Sequence, residues 1–310
     1  KPSYIDFIKI ENDYLNSDRL KRDKEFWDKE LSEVPPPLDI KSFKLSKSIE
    51  TERKTFLLPE DLSRELYKFC KENKTSIFRI FLSAFYTYAM RITGKTDIVV
   101  GTAYHNRLEE VSKNTVGMYT SVPPFKIDAG NVEFRTVLTE VRKKLKSIDK
   151  HQRYPYEFLL RDIKAKDSNC KDLYDTAISQ HLKNLYPSNS EVEFHCNGNF
   201  SCPLTIYIRY HSQDETVPVD LIIDYYTDKF TGKEINSLYN HLVNIMRDGL
   251  KNPDKPLSCI ELLSEQEKKK LIYFFNDYPG DYPLDKTFIQ LFEEQVKRTP
   301  HNTAVVYKDK

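Results

Sequence analysis

The chain has 310 residues, of which 48 are basic and 47 acidic, for a net charge of +1. That balance creates no global field to draw in nucleic acid or an anionic membrane, so a partner must be recognised locally. The length allows one large domain or two smaller ones, with at least one sizeable core.

Cys70, Cys170, Cys196, Cys202 and Cys259 form an odd, scattered set with no CxxC pair. This fits a reducing compartment better than a disulfide framework. No apolar run approaches the roughly 20 residues of a membrane helix, and no secretory leader opens the chain, so the sequence reads as cytoplasmic. A start without Met and a stop just after a strand-like run point to a piece of something larger.

In residues 20–31, dense charge surrounds Phe26, Trp27 and Leu31, spaced for one side of a helix that "VPPPLD" then stops. "ETERKTFLLP" alternates like a strand. Pro59 opens a helix with Leu62, Leu66, Phe69 and Cys70 on one face. Thr75 or Ser76 can cap the next helix, over 77–90, which is apolar on most sides and therefore buried.

"DIVVGTAYHNR" is a short apolar strand running into a polar loop. Phe134, Val137, Leu138, Val141, Leu145 and Ile148 mark an amphipathic helix leading to "HQRYPYEFLL". "PLTIYIRYH" and "PVDLIIDYY", joined by a polar turn, read as a β-hairpin, and 235–250 as a helix. This mixture predicts an α/β sandwich. Beyond "NPDKPL" the character changes to a charged helix with a Ser264/Glu267 capping box, a Pro/Gly linker, another helix and a strand start. Phe288, Leu291, Phe292 and Val296 form an apolar stripe on that last helix, which predicts that it finds a covering surface.

The order of motifs resembles the condensation domains of nonribosomal peptide synthetases, followed by the opening of an adenylation domain. "YIDF" is similar to the family's Tyr-x-Asp-Phe segment, with Ile10 where tryptophan is usual. "VVGTAYHNR" resembles its Val-Gly-x-x-x-x-x-Arg stretch, and "VGMYTSVPPF" its Ile-Gly-x-Phe-Val-Asn-Thr-Leu-Pro-Leu motif, with Ser121 in the asparagine position. "HQRYPYEFLL" is close to His-Gln-x-x-Pro-Phe-Glu, and "DLYDTAISQ" is a reduced match to Pro-Leu-Phe-Asp. "YPLDKTFIQLFEEQVKRTP" looks like the first helix of an adenylation domain.

The resemblance implies a two-layer α/β sandwich of the chloramphenicol acetyltransferase-like type. It divides the chain into a carboxy-terminal condensation lobe over 1–263, a linker helix and loop over 264–282, and the start of an adenylation domain over 283–310. The family's HHxxxDG motif is absent from this chain, so no catalytic residue is assigned. The implied partners are the amino-terminal condensation lobe, peptidyl carrier domains bearing phosphopantetheine, and the adenylation domain. No cofactor is expected to bind directly, and neither nucleic acid nor membrane is expected. Rival readings are an epimerisation or heterocyclisation domain of the same fold, or an inert scaffold for carrier docking.

Arg107, Gly117, Tyr119, Ser121, His151, Gln152, Tyr154 and Pro155 are the candidates for the lobe interface or the substrate tunnel. The resemblance sets Arg107 against the HHxxxDG aspartate; without that partner, its guanidinium should be solvated or paired with Glu109 or Glu110. Gly117 would permit close approach, and Tyr119 would offer a ring face and a hydroxyl to the tunnel, on either a tunnel wall or a plain edge strand ended by Pro123 and Pro124.

His151 has the pKa range of a general base, but no neighbour in sequence offers an orienting carboxylate. The expectation is a helix-end histidine bonded to backbone in a motif that shapes and braces. His195, Cys196 and Cys202 are metal-ligand types, but zinc sites use four ligands in closer pairs, so no metal is expected.

Overall fold

The computed structural model describes residues 3–40, 48–168, 170–185, 195, 198, 202–274, 283 and 285–305. It divides into two compact units, Lys1–Ser264 and Glu265–Lys310.

The first unit opens with α1 (Tyr4–Leu15) and α2 (Asp18–Glu30), followed by β1 (Thr51–Leu57), α3 (Glu60–Asn73), α4 (Ile77–Thr93) and β2 (Asp97–Thr102). Then come the short α5 (Glu110–Lys113), β3 (Pro124–Asp128), α6 (Phe134–His151), α7 (Tyr156–Lys166), β4 (Thr176–Leu182), β5 (Leu204–Tyr210), β6 (Asp220–Tyr226) and α8 (Gly232–Lys251). Six strands form one open mixed sheet in the order β1-β6-β5-β4-β2-β3. The β2–β4 and β4–β5 pairs are parallel and the other three are antiparallel, including the expected β5–β6 hairpin.

The alternation of β6 explains how this sheet meets its helices. Leu221, Ile223 and Tyr225 belong to the main apolar core. The alternate residues Asp220, Ile222 and Asp224 point to the opposite face. Helix α4 packs against α6, α8, β2 and β5. Its residues from Ile77 to Met90 are buried except Arg79, which is half-buried, as its all-round apolar pattern requires. Ser76 provides its N-cap, accepting from the Arg79 N–H, and Gly94, at φ +71°, ends it in the left-handed region that glycine tolerates.

Several elements differ from the sequence reading. Helices α1 and α7 and strand β4 were not foreseen as elements. "VGMYTSV" is a loop rather than a strand, and Pro124 opens the edge strand β3 instead of ending a ladder. An edge strand accommodates proline because one side of it needs no donor.

In the second unit, α9 (Glu265–Lys269) continues as a π-turn over Lys270–Phe274, and α10 (Phe288–Arg298) carries a complete Thr287/Gln290 capping box. The second unit does not itself cover the stripe of Phe288, Leu291, Phe292 and Val296; the expected cover, the lobe or a neighbouring copy, lies outside this unit. The strand start expected at the end of the chain lies outside the described residues from 306 onward.

Helices α6 and α8 meet at a position that tests this packing. A Cβ at Gly249 would lie 2.9 Å from the Phe134 ring, which is fully buried. Helix propensity alone favours Gly249→Ala by about 1 kcal/mol. Overpacking is expected to outweigh it and leave a net loss of about 1–2 kcal/mol in urea unfolding. A stabilised variant would show that the contact has slack.

Candidate functional site

The "HQRYP" segment is the turn between α6 and α7. Tyr154 precedes a proline and cannot easily remain helical, so α6 ends at His151 and Pro155 becomes the N-cap of α7. This turn presents consecutive side chains to the α1–α2 pair.

His151 Nδ1 lies 2.7 Å from Asp23 Oδ1, and the imidazole stacks on Phe26 with ring centroids 4.0 Å apart at 9°. The expected backbone bond of its side chain is therefore replaced by a carboxylate from α2. The backbone carbonyl of His151 accepts from the Trp27 indole N–H at 3.1 Å. Asp23, only 2% exposed, also accepts the Tyr14 hydroxyl at 2.8 Å. Burial, reinforced by that bond, pushes the Tyr14 phenol far above its ordinary range.

Gln152 is buried and donates to the backbone and side chain of Asp149, while its backbone carbonyl accepts from the Ser121 hydroxyl at 3.2 Å. The Tyr154 hydroxyl donates to Asp162 at 2.9 Å, and Lys24 of α2 pairs with the same carboxylate. Burial would raise the Asp162 carboxyl, but the Lys24 and Tyr154 bonds outweigh it and hold the group below the usual range.

Between these residues sits Arg153, with a side chain 6% exposed. It donates to Glu11 at 2.8 Å, to Glu109 at 2.6 Å and to the Ile10 carbonyl at 2.9 Å, and its guanidinium lies over the Tyr14 ring. One buried cation thus ties α1, the start of α5 and the α6–α7 turn together.

Of the alternatives expected for Arg107, the Glu109 pairing is not made, because Glu109 is taken by Arg153. Asn106, at φ +49°, turns the chain after β2, a conformation asparagine tolerates. The Arg107 guanidinium then donates to the backbone carbonyls of Ser112, Thr115 and Gly117, and lies 4.1 Å above the Tyr119 ring. Arginine has five N–H donors, so two remain, Nε–H among them, unused among the described residues.

Tyr119 is buried against Phe7 and Tyr4, which corrects the expectation that its face is open to a tunnel. Gly117 does permit close approach, though to protein: a Cβ there would sit 2.5 Å from the Tyr4 ring. Ser121 exchanges backbone hydrogen bonds with Tyr104, and the Tyr174 hydroxyl donates to the Val122 carbonyl at 2.7 Å. Cys196 lies outside the described residues. Cys202 is a buried thiol, pushed up to about 12 by burial.

The sequence reading missed Arg153 and its acids, although Arg153 stands inside the quoted motif. Asp23 carried a signal: with Trp27 and Leu31 it lies at i, i+4 and i+8 on the buried side of α2, and an acid there needs a partner.

The arrangement is a set of clamps whose arginines and histidine are engaged by the protein itself. The family model for condensation domains matches residues 1–272. This chain belongs to the condensation domain family.

Among curated proteins it is 28% identical to surfactin synthase subunit 1 of Bacillus subtilis (strain 168) over 99% of the chain, and 28% identical to gramicidin S synthase 2 of Brevibacillus brevis over 98%. It spans only 9% and 7% of those proteins. Two solved condensation domains share its fold. The first condensation domain of the CDA synthetase has a TM-score of 0.69 at 17% identity, covering 82% of this chain and 56% of that one. The starter condensation domain of rhizomide synthetase, also at 0.69 and 17%, covers 84% and 59%. The fold is accordingly the chloramphenicol acetyltransferase-like sandwich of this condensation family.

The Arg153 clamp is testable. Arg153→Met leaves Glu11 and Glu109 facing each other without their cation, and about 3 kcal/mol of stability should be lost. Adding Glu11→Gln and Glu109→Gln should recover more than half of it in urea unfolding. If the triple variant is no more stable than the single one, the charges are not what Arg153 contributes.

Proposed function

We propose that this chain is the carboxy-terminal, acceptor-side lobe of a condensation domain in a multidomain nonribosomal peptide synthetase. The observation that carries the reading is the combination of family membership over 1–272 with a sequence that has no HH pair. In this reading residues 264–282 are the interdomain linker and 283–310 begin an adenylation domain. The partner lobe supplies HHxxxDG, and carrier domains bring both substrates on phosphopantetheine arms.

The reaction is amide formation. The acceptor amine attacks the donor thioester carbonyl, a C–N bond forms, the C–S bond breaks, and the donor carrier's thiol leaves with the amine proton. Alignment of two reactants can supply roughly 7–11 kcal/mol of such a barrier, so a wall that only positions is a substantial contributor.

Asp23 on Nδ1 supplies the orienting carboxylate that no sequence neighbour of His151 offers. In this reading, however, the base comes from the partner lobe's HHxxxDG, and His151, with Phe26 stacked on its ring, braces the α6–α7 turn. Arg107 is the better candidate for an effect on rate. It holds the 112–117 loop in shape, and its two remaining N–H groups suit a carboxylate from the partner lobe, the role the family resemblance assigns it.

In single-turnover condensation by the intact synthetase, Arg107→Ala should lower the rate about 100-fold, the cost of a displacement of ~1 Å. Arg107→Lys should not rescue it, because an ammonium cannot span the three carbonyls and a carboxylate. Adenylation should be unchanged, and the isolated chain should read background. Full condensation by the alanine variant, or a parallel fall in adenylation, would remove the role given to Arg107. Turnover by the isolated chain would remove the reading itself.

A further inference from the structure

Helix α5 is a single turn, Glu110–Lys113, and one turn does not hold its own place. Its position is set by what grips it. Glu109 stands at the N-cap, yet its side chain makes no capping bond. The carboxylate accepts instead from Arg153 Nη1 at 2.6 Å, in an ion pair whose side chains are 6% and 30% exposed. The backbone carbonyl of Glu109 meanwhile closes the turn, accepting from the Lys113 N–H at 3.1 Å and the Ser112 hydroxyl at 2.8 Å.

Arg107 bonds the other end of the same piece. Its guanidinium donates to the carbonyls of Ser112, Thr115 and Gly117, so its direction follows the placement of the turn. Beyond those bonds, side-chain hydrogen bonds tie residues 108–118 to the rest of the unit at two points among the described residues. One is Arg153 to Glu109, and the other is the Tyr4 hydroxyl to the Met118 carbonyl at 3.4 Å. A charge-assisted bond of 2.6 Å from a nearly buried cation outweighs a neutral bond of that length. The other donors of Arg153 are fixed on α1 by Glu11 and the Ile10 carbonyl, so the cation has little freedom to follow a shifting loop.

We propose that Glu109 is a positioning residue for condensation: gripped by Arg153, it sets the turn from which the Arg107 guanidinium takes its direction. The proposal rests on the role given to Arg107 in the preceding subsection. Glu109 acts through Arg107 and touches no substrate.

Single-turnover condensation by the intact synthetase tests this relay. Glu109→Gln keeps the size of the side chain and removes its charge. It should slow the step about ten-fold, less than the loss of Arg107, because the three carbonyl bonds remain. Adenylation and the half-saturating concentration of loaded acceptor carrier should stay within about two-fold, since a displaced guanidinium costs rate rather than binding. Glu110→Gln removes an equal charge from the next residue, whose carboxylate meets Asn114 and Lys113 of the same turn, and should condense within about two-fold of the parent. In an Arg107→Ala background, Glu109→Gln should cost less than about two-fold more, because residues that act as one unit are not additive.

A Glu109→Gln enzyme at full rate beside a slow Arg107→Ala enzyme would overturn the relay and leave the role of Arg107 standing. So would a Glu109→Gln loss that multiplies in full with that of Arg107→Ala, one that Glu110→Gln reproduces, or one that adenylation shares. These three outcomes show a path around Arg107, a general effect of charge, and a defect of folding. A slow Glu109→Gln enzyme beside an Arg107→Ala enzyme at full rate would defeat the Arg107 role itself, and the relay with it.

Discussion

Arg153 is the charge on which the arrangement of the helices beside the sheet depends. A guanidinium with a side chain 6% exposed is tolerable only if its donors are met, and they are met by two acids, one backbone carbonyl and an aromatic face. The acceptors come from two parts of the chain: Glu11 and Ile10 from α1, Glu109 from the start of α5. The fork geometry allows one arrangement of those parts, whereas an apolar contact in the same place would tolerate sliding. His151, two residues away, adds a second grip through Asp23, Phe26 and Trp27 of α2. The α6–α7 turn is therefore a clamp on a helix pair, and such rigidity is what the proposed positioning role requires.

Much of the fold was legible in the sequence because its helices and strands are strongly patterned. The apolar spacing of α6, the all-round apolar α4 and the β5–β6 hairpin read directly. Helix α1 did not: apolar residues at 4, 5, 7, 8, 10, 14 and 15 give no clean one-faced period, since Phe7 and Tyr14 are buried while Tyr4, Ile5 and Ile8 are exposed. Strand β4, "TAISQHL", mixes polar and apolar residues because Gln180 is exposed while Ile178 sits in the core, and so lacks a simple run.

The site was legible as motifs but not as contacts. Arg107 stood out from its place in a resembled motif, and its three carbonyl acceptors could not be read because backbone groups leave no mark in sequence. Arg153 and Asp23 failed to stand out because one charged partner of each lies more than a hundred residues away, at 142 for Glu11–Arg153 and 128 for Asp23–His151. Charge pairs at that separation obey no local spacing rule. What the sequence does offer is the weaker rule that an acid on a buried helix face has a partner somewhere.

The same logic acts in the sheet. Arg53 stands directly opposite Asp224 in the β1–β6 register and reaches it with two hydrogen bonds at 2.6 and 2.7 Å. Arg209 stands opposite Asp220 in the β5–β6 register and pairs with it, while Lys183 meets the other carboxylate oxygen at 2.6 Å. Asp224 is fully buried and Asp220 nearly so. A slip of one residue in β6 would turn both carboxylates toward the apolar core and strand two arginines on the other face. Such pairs add little net stability over well-packed apolar residues, but they make wrong registers costly. A sheet whose helix face is apolar and nearly uniform from Leu204 to Tyr225 has few other means of choosing its register. The fixed positions of β2 and of the loop that Arg107 holds follow from that choice, strand by strand, from β1 across to β3.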